Sequence, residues 1–428
     1  MVAAFPTLTV EVAFTTAPTS TPTWTDVTAY VLAIKIRRGR DNEFGPMQMG
    51  TAEVVFDNSD RRFDPSYAAG PYYLNLKPMR RIRISAAGTA TPLPGWDLPY
   101  EGPIFHGYID GWPQSWLDGV VPIVSVRVCD AFKVLGMVDL NATYPQELSG
   151  LRINRVLDNC GWTLGGTWVL DSVSNSQLGT TTVLGPSGDR VLADGDSLII
   201  AQTVTNANAV QYLNDVTNSE YGMLFANVYG QIEFHNRHYW LGAAAGATFN
   251  DTPGGMTYSE YGLEFNDEYV YNDVRMQRVD GTPQAVADNN SQLAYFKRTL
   301  QDDRLLITTD SEVSDRTYYL LARYKDPRYR SREFGFSRND TGMTTAVGVG
   351  AELGDRIIVV RHPQGGAAIN IEYVIEGIEQ EIGVRGQSWD IRLQLSPVDN
   401  RTYWLLAGSA TDDYAYYSFL GGTTRLSY

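Results

Sequence analysis

The sequence predicts a mainly β protein with an α+β middle region, and three observations predict it. Apolar and polar residues alternate over short stretches, as at Leu8, Val10, Val12 and Phe14 and through Trp389-Asp-Ile-Arg-Leu-Gln-Leu395, the period of a half-buried strand. Turn formers are plentiful, with 40 Gly and 20 Pro in 428 residues, and the 26 Tyr suit a pleated surface. Long runs of Ala, Glu and Lys, which would build long helices, are missing. Closely spaced strands with turn signals between them imply β-barrel or sandwich modules.

Taken in order, residues 1–135 read as an all-β unit. Strands are expected at Val31 to Arg38, Met47 to Phe56, Arg80 to Ile84, Phe105 to Ile109 and Val124 to Cys129. Asp130 then caps a short helix that Gly136 ends. Residues 136–262 form a mixed α/β middle domain. Ile153, Val156, Leu157 and Cys160 share one helix face, closed by Gly161. Gly165 to Asp196 reads as loops with short strands. A second helix spans about Ala207 to Glu220 with Asn206 as its cap, and a hairpin turns at Tyr229-Gly230. Ala243 to Gly255 reads as a small-residue loop.

Residues 263–400 return to β with one helix, opened by the capping box Thr309-Asp-Ser-Glu312 and ended at Asp326-Pro327. The 401–428 segment, with Tyr414, Tyr416, Tyr417 and Phe419, is an aromatic, Gly-rich extension that needs a surface to bury it.

Net charge is −15, and it is uneven: residues 136–262 hold 4 Lys+Arg against 12 Asp+Glu. No region has the positive excess that gripping DNA phosphates requires. Met1 to Pro6 does not read as a signal peptide, and no stretch nears the roughly 18 apolar residues of a membrane span. Cys129 and Cys160 read as buried free thiols of a protein made in a reducing cytosol.

Catalytic signatures are missing: there is no phosphate-binding glycine loop and no nucleophile elbow. No catalytic, cofactor or metal residue is assigned. His235 and His238 fall on opposite faces of a strand, which suits a shared metal poorly. His106 and His362 have no local Ser or Cys partner. Two segments stand out instead. Gly50 to Pro65 reads as a strand running into a charged turn, with Phe63 as apolar anchor. Asp57, Asp60 and Asp64 are expected to pair with Arg61, Arg62 or the Arg80-Arg81-Arg83 strand. Glu372, Glu376, Glu379 and Glu381 lie on a strand, and a bulge at Gly377 would bring all four to one side. They read either as a solvated face or as an acidic wall past which a negatively charged polymer slides.

The first segment, with Trp24-Thr-Asp-Val-Thr28, Arg38-Gly-Arg40, Gly70-Pro-Tyr, Lys77-Pro-Met-Arg-Arg-Ile-Arg-Ile84, Phe105-His-Gly-Tyr-Ile-Asp-Gly-Trp-Pro113 and Cys129-Asp-Ala-Phe-Lys-Val-Leu135, resembles the N-terminal domain of minor tail proteins of long-tailed actinobacterial phages. Arg155 to Trp162, Ser219 to Phe225, Leu353-Gly-Asp355 and the Trp389 strand resemble later parts of that family, so the likeness covers residues 1 to about 400. It implies a non-enzymatic tail-tip hub, similar in plan to the baseplate hub of contractile-tailed phages. Such a hub is a homotrimer, its barrel-like domains forming a pseudo-sixfold ring between the hexameric tail tube, or distal-tail ring, and a threefold tip. Implied neighbours are the distal tail protein, the tape-measure protein and other minor tail or fibre proteins. DNA would cross the lumen without specific binding, and the chain would act in the virion after synthesis in the bacterial host. Asp57, Asp60, Arg61, Arg62 and Asp64 would then mark ring assembly, and Glu372, Glu376, Glu379 and Glu381 the lumen. Two other readings are recognition of cell-wall carbohydrate through Trp112, Trp116, Trp162 and Trp168, and a tail-associated wall hydrolase.

Overall fold

In the computed structural model, which describes residues 5–88, 101–115, 122–162, 190–239, 245–252, 255–337, 341–385, 387–398, 403–404 and 425–426, strands dominate and helices are few. The chain divides into two compact units that are not consecutive in sequence. One comprises Met1–Leu263 and Arg330–Ser396, the other Glu264–Tyr329 and Pro397–Tyr428.

The first unit is built around one large sheet, accompanied among the described residues by three small ones between positions 139 and 235. Neighbours in the large sheet run in the order Glu260–Phe265, Tyr329–Phe336, Ser388–Pro397, Ile369–Gly383, Val31–Gly39, Gln48–Asp57, Ile123–Cys129, Glu101–Ile109, Arg81–Ala87, Thr7–Val12 and Thr25–Asp26. Period-two alternation sets the register. In Gln48–Asp57, Ala52, Val54 and Phe56 are buried while Glu53 is exposed, so a one-residue slip would turn the apolar set to water. Trp389, Ile391, Leu393 and Leu395 are buried in the same way.

Ile369–Gly383 spans two neighbourhoods. Ile369 to Val374 pair with Arg361 to Arg356, and Gly377 to Gly383 pair with Gly39 to Ala33. The fully buried side chains change parity at the handover, from Tyr373 and Ile375 to Ile378, Gln380 and Ile382. Gly39 makes the crossing possible. It has φ +87°, and a Cβ there would lie 2.2 Å from the Glu376 carbonyl oxygen.

The middle helices form largely as expected. Ser149–Asn159 buries Ile153, Val156 and Leu157. Asp130 caps Ala131–Leu135 by accepting from the Phe132 amide. The second helix starts later than expected, at Ala209, because the Gln202–Asn208 strand continues through an irregularity near Asn206. Asn208, not Asn206, is its cap. The Ala243 to Gly255 segment is not all loop, since Ala247–Asn250 pairs in parallel with Arg356–Arg361. Helices Asn289–Tyr295 and Thr341–Gly350 were not expected.

In the second unit, Asp273–Arg278 lies between Gln284–Ala287 (antiparallel) and Thr299–Leu305 (parallel). Helix Asp310–Tyr324 is capped by Thr309, which accepts from the Glu312 amide at 3.3 Å. It contributes Val313, Leu320 and Tyr324 to a core shared with Val274, Met276 and Leu305. Within 401–428 the described residues pair Tyr403–Trp404 with Arg425–Leu426. Tyr414, Tyr416, Tyr417 and Phe419 lie outside the described residues.

Candidate functional site

The charged turn after Gln48–Asp57 is organised by two buried groups. Asn58 accepts from the Phe63 amide (2.9 Å) and donates to Gln114 Oε1 (2.8 Å), while Gln114 Nε2 donates to the Phe63 carbonyl (2.7 Å). Phe63 is fully buried and sits in an aromatic cluster, with ring centroids 4.7 Å from Phe56, 5.7 Å from Tyr72 and 5.9 Å from Trp112. The expected anchor is therefore in place, and Trp112 belongs to the core rather than to a sugar-binding surface. Trp162 is half-buried, and Trp116 and Trp168 lie outside the described residues.

The acids of this turn hold it locally. Arg61 donates to Asp64 Oδ2 (2.7 Å), and Arg62 Nε donates to Asp60 Oδ2 (2.8 Å) while its guanidinium lies 3.5 Å from the Tyr30 ring centroid. Asp57 departs from expectation: Arg385, distant in sequence, donates to it at 2.5 Å. Of the arginines at 80–83, Arg80 bonds the Thr16 carbonyl and Arg83 pairs with Glu11. Hydrogen bonds hold the three carboxyls below their usual range, from Ser59 and then Arg385 to Asp57, from Arg62 to Asp60, and from Ser66 and then Arg61 to Asp64.

The four glutamates do not share one environment. Glu376 is buried and accepts from Arg40 Nε at 2.7 Å. Glu381 meets Lys35 at 2.5 Å, Glu379 lies 3.4 Å from Arg37, and Glu372 pairs with Arg356. The parity change at the handover leaves all four out of phase with the core residues Tyr373, Ile375, Ile378, Gln380 and Ile382, and Glu376 is nevertheless buried against Arg40. The four differ in exposure: Glu381 is exposed, Glu379 and Glu372 are half-buried, and Glu376 is buried.

A third constellation escaped sequence reading. Arg38 is buried and donates to Glu352 Oε1 (2.5 Å) and to the Ala226 carbonyl (3.0 Å). Glu352 also accepts from the Val228 amide, and its own amide donates to Asp355 Oδ2 at 2.8 Å. Glu233 bonds the His235 ring (2.8 Å) and accepts from Asn227 (3.0 Å). Asp130 accepts from the Gly50 amide at 2.6 Å. Burial pushes Asp355 up to about 7, with Glu352 and Glu233 adding to the rise and Arg38 opposing it. Burial likewise pushes Asp130 to about 7 against its two backbone hydrogen bonds and Arg38. This network ties the first strands to the 223–235 hairpin and the 352–355 turn. Its members are tens to hundreds of residues apart, and no local pattern announces them.

Nothing here resembles a metal centre: among the described residues no group of three or more His, Cys, Asp or Glu is placed to hold an ion. His238 pairs with Asp196 at 3.0 Å, apart from the His235–Glu233 pair. Cys129 is buried and Cys160 half-buried, and burial raises the thiol of each, that of Cys160 to about 11. Among the described residues no helix is long and apolar enough to cross a membrane.

No family model matches the chain, and no curated protein matches it. Among solved structures, the fold is similar to the tail protein from Neisseria meningitidis MC58, with a TM-score of 0.57 and 11% identity over 92% of this chain and 97% of that one. It is also similar to the 43 kDa tail protein of prophage MuSo2 from Shewanella oneidensis, with a TM-score of 0.54 and 11% identity over 91% and 100% of the two chains. At this identity the likeness is one of fold: the chain is mainly β and folds as these two tail proteins do.

Proposed function

We propose that this chain is a structural protein of a phage tail, a three-copy hub at the tail tip that joins the sixfold tube or distal-tail ring to a threefold tip. The observation that carries this reading is the likeness in fold to two tail proteins over nine-tenths of the chain. The motif set from Trp24 to Leu135 extends it to long-tailed actinobacterial phages. Its role in this reading is non-catalytic, and its partners are two further copies, the distal tail and tape-measure proteins, and other minor tail or fibre proteins.

DNA passes through the ring in this reading. Glu379 and Glu381, set beside Arg37 and Lys35, give a surface of matched charges that neither attracts phosphates strongly nor repels them. Threefold-averaged imaging of tail tips with labelled protein tests the assignment. Three copies around the channel at the end of the tube are expected, and six copies, or one, would overturn the hub.

A further inference from the structure

The second unit has two open sheet edges, one of them poorly protected. Among the described residues no further strand pairs with the outer side of Gln284–Ala287 or of Thr299–Leu305. Folded proteins usually guard such edges with charge, proline, a bulge or a covering segment. Gln284-Ala-Val-Ala287 contains neither charge nor proline, and Ala285 and Ala287 are exposed. The other edge carries Asp302, Asp303 and Arg304. Across the sheet, Ala285, Arg275 and Gln301 are direct neighbours in one exposed row.

An apolar tip stands beside the charged edge. Leu293 and Phe296, on the connection from the uncharged edge to Thr299, are 87% and 85% exposed. Phe296 has φ 60° and ψ 170°, a conformation left almost entirely to glycine. Asn272, fully buried, holds it there. Its amide donates to the Phe296 carbonyl (2.8 Å) and to Ser291 (3.1 Å), and its Oδ1 accepts from the Arg298 amide (2.9 Å). The unit thus spends a buried polar clamp on holding an aromatic ring out in water.

We propose that this surface binds a second copy of the chain, head to tail. The Gln284–Ala287 edge of one copy adds to the Thr299–Leu305 edge of the next, and Leu293 and Phe296 seat against the neighbour. Charge disfavours the pairing of two Thr299–Leu305 edges, and only the head-to-tail pairing uses both edges of every copy. Two Thr299–Leu305 edges running antiparallel would set Asp302 and Asp303 of one copy against those of the other, and like charges directly opposed are destabilising. The uncharged edge meets the same acids without repulsion. Because the two surfaces differ, the contact is heterologous and closes into a ring when the rotation permits. This identifies a subunit contact for the hub proposed above and rests on that reading.

The test is a disulfide that only two copies can make. Within one chain, positions 285 and 301 flank Arg275 at two strand spacings, roughly 9–10 Å, beyond the reach of a disulfide. Oxidised full-length Ala285→Cys/Gln301→Cys is expected to give covalently closed multimers, and companion variants pairing position 285 with 299 or 303 cover the neighbouring registers. Each single-cysteine variant and the wild type, which retains Cys129 and Cys160, set the background. Leu293→Asp/Phe296→Asp is expected to weaken self-association about tenfold or more while its far-ultraviolet circular dichroism stays that of the wild type. A wild-type chain that stays monomeric at every concentration overturns both this contact and the ring. A wild-type oligomer that none of the paired cysteines links, or that the Asp variant leaves intact, overturns this contact alone.

Discussion

Phe63 and its polar frame decide whether the charged turn exists. Phe63→Ala empties the centre of a ring cluster and is expected to cost about 3–5 kcal/mol, measured by denaturant unfolding. Arg62→Glu removes a pair with the exposed Asp60 and the contacts of a half-buried guanidinium with Tyr30 and Tyr72, so it should cost the free subunit about 1–2 kcal/mol. If the turn serves ring assembly, the same change lowers the assembled fraction in sedimentation, and an unaltered assembly would remove the turn from the contact. Asp130 and Asp355 make stability depend on pH. Their usual value is 3.8 and burial raises both to about 7, so their favourable contribution is complete below pH 4 and is lost as pH rises through 7. Thermal melts should therefore show the first unit gaining stability from pH 8 to pH 5. Asp355→Asn should flatten that slope, and a slope identical to wild type would show that Asp355 is not its source. The local hydrogen bonds of Asp60 and Asp64 were legible in the sequence because their partners lie within three residues. The partner of Asp57 was not, because Arg385 reaches it from a different part of the chain.

Among the elements, Ile369–Gly383 carries two kinds of ion pair on one strand. Glu376→Ala would leave the largely covered Arg40 guanidinium with the Gly45 carbonyl but no carboxylate, at about 3 kcal/mol. Glu381→Ala breaks an exposed pair, worth at most about 1 kcal/mol. Equal melting shifts for the two variants would mean that the Glu376 pair is solvated. Strands with clean alternation, such as Gln48–Asp57 and Ser388–Pro397, were readable in the sequence, as were the helices capped by Asp130 and Thr309. Helix Thr341–Gly350 was not. Its Thr, Val and Gly residues are poor helix formers, and tertiary packing makes the choice instead: a Cβ at Gly348 would lie 2.3 Å from the Trp389 ring. The late start at Ala209 has the same kind of origin, since pairing of Gln202–Asn208 with Asp139–Tyr144 takes the residues that local rules assign to the helix.

At the scale of the whole molecule, mainly β architecture followed from composition and periodicity, whereas the joining of Val31–Gly39 to Ile369–Gly383 in one sheet depended on contacts more than 300 residues apart. In virions carrying Glu379→Lys/Glu381→Lys, a channel lined by this strand would hold DNA phosphates, so ejection should slow while particles still assemble. Normal ejection kinetics would move the channel wall to another strand. The division of the chain has a further consequence. Residues 264–329 leave the first unit after Leu263 and return at Arg330, between two strands that are sheet neighbours, with the Ser259 amide donating to the Gly335 carbonyl at 2.9 Å. An excursion whose two ends lie on adjacent strands behaves as a cassette. It can be exchanged for another, together with the Pro397–Tyr428 segment of the same unit, while the host sheet keeps its hydrogen bonds. Lineages sharing this scaffold are then free to refit that unit to new neighbours without redesigning the rest.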